Sequence, residues 1–90
     1  MSGTLVESFG LALRQLRTER DLSQEQLAAL SDLNRSYLGE IERAKVIASL
    51  ATVHKLAQAL GLSVTGVFLR CEQIEQQRVI RRIDLTSFSR

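Results

Sequence analysis

The sequence predicts an all-α protein, a five-helix orthogonal bundle, and three observations carry that expectation. Apolar residues recur at helical rather than alternating spacing through most of the chain. Hydroxyl or amide side chains stand in front of the later apolar runs, where helix starts need capping, and proline does not occur among the 90 residues. The hydrophobic content is 44% with no tryptophan and one tyrosine, which suits a core of Leu, Ala, Val and Ile. Ninety residues make one domain, near the small end of what a single core sustains without staples.

The elements follow in order. Met1 to Thr4 precedes the first periodic stretch. A first helix is expected over Leu5 to Arg20, with Leu5, Phe9, Ala12, Leu13 and Leu16 inward and Glu7, Arg14, Gln15 and Thr18 outward. Gly10 inside it costs up to about 1 kcal/mol against alanine, so it marks a close approach of another helix. Ser23 with Gln26 has the capping-box spacing and opens a second helix with Leu27, Ala28 and Leu30 on its apolar face. Ser31, Asp32 and Leu33 break the period, and aspartate tolerates the left-handed conformation that a sharp turn demands. Asn34 is a second N-cap. The helix it opens turns Leu38 and Ile41 inward and leaves Arg35, Ser36, Gly39, Glu40 and Arg43 outward. After the loop Val46-Ile47-Ala48, Ser49 caps a fourth helix with Leu50, Val53, Leu56, Ala57 and Leu60 as its stripe, and Gly61 ends it. Ser63 opens a fifth helix with Val64, Val67, Phe68, Cys71 and Ile74 inward. The remaining stretch, RVIRRIDLTSFSR, fits neither period well: Ile83, Leu85 and Phe88 suit a short strand, a continued helix, or a segment that orders only in a dimer.

Composition excludes several function classes. One cysteine rules out an internal disulfide and a Cys-rich zinc site, which makes a reducing cytoplasm the expected compartment. His54 has no Cys or acidic partner at ligand spacing, so no metal and no cofactor are expected, and Cys71 reads as a small hydrophobe. No apolar run reaches membrane-spanning length, and the N-terminus has no secretory pattern. No nucleophile–base pair, paired carboxylates or phosphate loop is present, so an enzyme is not expected. A net charge of +2 permits a nucleic-acid partner without announcing one; what matters is that Arg35, Arg43 and Lys45 cluster.

That cluster lies in the stretch from Leu22 to Lys45, two short helices joined by a tight turn. A short helix with small, hydrogen-bonding and cationic side chains outward suits the major groove of double-stranded DNA. Arg35 can fork onto guanine O6 and N7, Ser36 can bond a base or a phosphate, and Glu40 can accept from cytosine N4 or pair with Arg43 or Arg35. Gly39 would let the backbone approach a base edge. Gln24, Tyr37, Arg43 and Lys45 are expected at the phosphate backbone.

The pattern LRxxxxLSQEQLA…LNRSYLGEIER resembles the Cro/CI-type (XRE) helix-turn-helix regulators, and LNRSYLGEIER is especially similar to the small controller proteins of restriction–modification systems. The resemblance spans roughly Phe9 to Phe68. It implies a lambda-repressor-like fold and a pairing of Arg17 with Glu42 that locks the recognition helix against the first helix. The chain departs from the family at Ala44, where relatives often have glycine, and in the apolar loop Val46-Ile47-Ala48. Either Ala44 is left-handed, at a cost of roughly 1 kcal/mol, or the helix runs a residue or two further.

The expected function is a homodimeric regulator binding a palindromic operator, with residues 35–43 in the major groove and no small-molecule effector. An antitoxin-like protein-interaction module with secondary DNA binding is the alternative. Residues 1–70 would form the DNA-binding domain, with its motif at 23–43, and residues 71–90 a dimerisation extension. Leu62, Val64, Val67, Phe68 and Ile74 are the expected dimer interface.

Overall fold

The computed structural model describes the backbone of residues 3–88 and the side chains of residues 5–78. Its elements are α1 (Gly3–Glu19), α2 (Gln24–Leu30), α3 (Arg35–Glu42), α4 (Leu50–Ala59) and α5 (Val64–Phe88), with no strand among the described residues. The caps fall where the side-chain chemistry requires them. Ser23 Oγ accepts from Gln26 N–H at 3.0 Å, and Gln26 Oε1 accepts from Ser23 N–H at 2.8 Å, a complete capping box. Asn34 Oδ1 accepts from the amides of Ser36 and Tyr37, Ser49 Oγ from Thr52, and Ser63 Oγ from Gly66.

The first four helices end in one and the same way. A left-handed residue follows each cap: Asp21 (φ 55°), Asp32 (φ 57°), Ala44 (φ 60°) and Gly61 (φ 74°). The amide after it reaches back five residues, from Leu22 to Arg17, Leu33 to Ala28, Lys45 to Glu40 and Leu62 to Ala57. This is the Schellman arrangement, which satisfies carbonyls the helix would leave open. Leu22, Leu33 and Leu62 then pack against the core. α3 therefore stops at Glu42, and Ala44 takes the strained conformation.

The core joins Phe9, Ala12, Leu13 and Leu16 of α1 to Leu27, Ala28, Leu38, Ile41, Val53, Leu56, Ala57, Val67, Cys71 and Ile74. α1 packs most extensively on α5, and α3 packs on both α1 and α2. The Phe9 and Phe68 rings lie 5.7 Å apart. Burial raises the Cys71 thiol pKa, helped by the nearby Glu75 and Glu72 carboxylates, so the sulfur stays a protonated hydrophobe.

Four expectations need correction. Leu5 (52% exposed), Leu30 (61%) and Leu50 (80%) do not join the core. Leu5 and Leu50 occupy the opening turns of their helices, and Leu30 is the last residue of α2, where the turn brings in the half-buried Leu33 instead. α5 runs on to Phe88, so the boundary expected between residues 70 and 71 falls inside a helix, and the core crosses it through Cys71 and Ile74. The side chains of Ile83, Leu85 and Phe88 lie outside the described residues.

Candidate nucleic-acid interface

α3 is fixed at both ends by contacts that leave one side of it open. At its start, Asn34 caps the helix. At its end, a Cβ on Gly10 would stand 2.5 Å from the Glu42 carbonyl oxygen and 2.8 Å from that of Ile41, so α1 touches the backbone of α3 where glycine removes the obstruction. Beside that contact, Arg17 Nε donates to Glu42 Oε2 at 2.7 Å and Arg17 Nη2 to Oε1 at 3.0 Å. Arg17 Nη1 also donates to the Leu22 carbonyl at 2.9 Å, and Gln24 Nε2 donates to Glu42 Oε1 at 3.0 Å. Three helices thus meet on one carboxylate whose side chain is 3% exposed. The hydrogen bond to Glu42 raises the Arg17 pKa, and burial opposes it. A forked, desolvated pair fixes geometry more than it adds stability, because desolvation offsets much of the attraction.

Apart from Leu38 and Ile41, which enter the core, α3 turns mostly polar side chains to solvent. Arg35, Ser36, Glu40 and Arg43 are exposed, Tyr37 is half-buried against the core, and Lys45 is exposed just past the helix. Among the described residues, no ion pair engages Arg35, Glu40 or Arg43. Glu40 therefore pairs with neither arginine.

Two expected DNA contacts look different in three dimensions. Gly39 is buried rather than open, because the Arg43 side chain folds back over it: a Cβ there would meet Nη1 at 3.0 Å. The Gln24 side-chain amide donates to Glu42 inside the protein, whereas the expectation placed both it and the Gln24 backbone amide at a phosphate. No signal along the chain could have paired residues 24 and 42, since their meeting depends on how α2 crosses α3. Val67 (0% exposed) and Ile74 (7%) of α5 are spent in the core and offer nothing to a partner, whereas Val64 and Phe68 of α5, and Leu62 in the turn before it, are half-buried.

A helix-turn-helix family model matches residues 13–67, more than half of the chain. The chain belongs to the Cro/CI-type helix-turn-helix family. The family is one of DNA-binding transcriptional regulators and controller proteins, not of enzymes. The chain is 41% identical over 66 residues to the control protein C.MunI of Mycoplasma sp, covering 72% of this chain and 89% of that one. It is 43% identical over 60 residues to the immunity repressor protein of Bacillus phage phi105, covering 67% of this chain but only 42% of the repressor. Among solved structures, the restriction-modification controller protein C.AhdI from Aeromonas hydrophila superposes with a TM-score of 0.67 at 49% identity, covering 70% of this chain and 94% of its own. The clp gene regulator ClgR from Corynebacterium glutamicum superposes with a TM-score of 0.84 at 28% identity, covering 93% of this chain and 88% of that one.

Proposed function

We propose that this helix-turn-helix regulator acts in the cytoplasm as a homodimer on a palindromic operator, with residues 35–43 as the recognition helix in the major groove. The observation that carries this reading is the division of labour on α3. Its inner side is fixed by Gly10, Arg17 and Gln24, and its outer side presents Arg35, Ser36 and Glu40, with no ion pair to the charged ones among the described residues. Arg35 forks onto a guanine, Ser36 and Glu40 read neighbouring base edges, and Tyr37 and Lys45 hold the phosphates. Arg35 stands at the positive end of the helix, where a cation costs stability, and a contact with DNA accounts for its place there. Occupancy then follows protein concentration, with no effector site required.

One recognition helix spans too few base pairs to single out a site, so two copies are needed. The surface suited to self-pairing is the half-buried flank of Val64 and Phe68, beside a shallow apolar groove rimmed by the exposed Leu5, Ile47 and Leu50. Selection of bound sequences from a random duplex pool tests the reading, with an enriched palindrome expected. Arg35→Ala should then lose about 1–3 kcal/mol on the enriched site and almost nothing on random duplex. Equal loss on both would make Arg35 a phosphate contact. Lys45→Ala should weaken both equally and lower the salt slope by about one.

A further inference from the structure

On the reading that α3 faces duplex DNA, we propose that Arg43 reads a base edge, seated for that task by Gly39, and is not a sequence-blind phosphate contact. At about 100° per residue, the outward positions run around α3 in the order Arg35, Gly39, Arg43, Ser36 and Glu40. Arg43 therefore stands in the middle of the outward arc, although it is the last of the five along the chain. Long side chains on a helix lean toward its N-terminus, which lays a residue's end group over the turn before it. The guanidinium of Arg43 does this: a Cβ at Gly39 would be 3.0 Å from its Nη1 and 3.7 Å from its Cζ and Nη2.

Gly39 thus leaves a shallow seat on the groove-facing side of the helix, and the guanidinium occupies it. Glycine in a helix interior weakens the helix, and letting the recognition backbone itself touch a base does not explain this one, because Arg43 covers it. A residue that only neutralised a phosphate would need no seat; Lys45, beyond the left-handed Ala44, meets that need from off the helix. Among the described residues no ion pair engages the Arg43 guanidinium, and its planar fork matches guanine O6 and N7. Arg43 and Arg35, at the two ends of α3, then read different base pairs of one half-site.

The test compares the full-length wild type with Arg43→Lys, Gly39→Ala and the double variant, each put through the same random-duplex selection. Arg43→Lys keeps the charge and loses the fork. It should bind the wild-type-selected site roughly ten- to a hundredfold more weakly and lose preference at one base pair per half-site. Affinity for random duplex should stay within about twofold, since the cation is retained. Gly39→Ala should relax the same base pair, because the added methyl takes the seat, and the double variant should be no worse than Arg43→Lys alone. Helical circular dichroism should be kept or strengthened in Gly39→Ala, since alanine favours the helix. An unchanged profile for Arg43→Lys overturns the base contact. An unchanged profile for Gly39→Ala, with Arg43→Lys altered, overturns the seat. A wild type that enriches no sequence overturns the reading of α3 itself.

Discussion

Ala44 carries its strain in a single methyl group. At φ 60° its Cβ crowds the following carbonyl, a cost of about 1–2 kcal/mol that glycine avoids. Glycine in turn gains freedom in the unfolded chain, worth about 0.4–1 kcal/mol. Ala44→Gly should therefore be net stabilising by up to about 1 kcal/mol, read as a higher urea midpoint at unchanged slope. A lower midpoint would show that the loop, not the dihedral, governs the site. Gly10→Ala should have the opposite sign and cost about 1–3 kcal/mol, because the new methyl meets backbone carbonyls that cannot turn aside. Gly66→Ala is the control, since a Cβ there has only ordinary contacts at 3.5–3.6 Å. The close approach at Gly10 was legible as a glycine inside a helix. Which helix approaches was not, because spacing along a chain says nothing about crossing partners.

At the scale of elements, polar contacts run along one side of the α1–α5 pair. Arg70 donates to Glu19 at 2.6 and 3.1 Å and to Gln15 at 3.2 Å, and Arg78 donates to Glu7 at 3.0 Å and Ser8 at 3.1 Å. The hydrogen bond from Arg70 holds the Glu19 carboxyl below its ordinary range. A carboxylate with a lowered folded-state pKa stabilises fully above its unfolded value, and that stability disappears as pH falls through the folded one. Glu19→Gln should therefore flatten the acid limb of the stability–pH curve and leave its shape near neutrality unchanged. An acid limb as steep as wild type would remove Glu19 from that role. Being an exposed pair, it contributes little in either case. The helices themselves were readable from Ser23, Asn34, Ser49 and Gly61, whose side chains or missing side chain act within one turn. Leu5, Leu30 and Leu50 were misread because periodicity assigns a face but cannot tell that a helix end has no neighbour beyond it.

At the scale of the whole molecule, the helix-turn-helix motif was legible, whereas the apolar side of α5 was only half so. Val67 and Ile74 look as apolar in sequence as Val64 and Phe68, and only the packing of α1 on α5 shows which are already used. A dimer bound to two adjacent half-sites needs its recognition helices about 34 Å apart, one turn of DNA, and the groove by Phe68 and Leu50 is the proposed place for that pairing. Leu50→Asp should give a folded monomer, because that side chain is 80% exposed, and operator binding should fall sharply while random-duplex binding changes little. Sedimentation at micromolar concentration checks it; a variant still dimeric would move the interface elsewhere. The α1–α5 contact also bears on the order of events at the ribosome. A nascent chain that has released α1 to α4 already holds every residue of the motif, yet α1, which fixes the end of α3, lacks its largest packing partner. A chain that ends before Val64 should therefore hold every residue of the motif while α1, and with it the seat of α3, lacks the support of α5. Its amides should exchange faster with solvent than those of the whole chain.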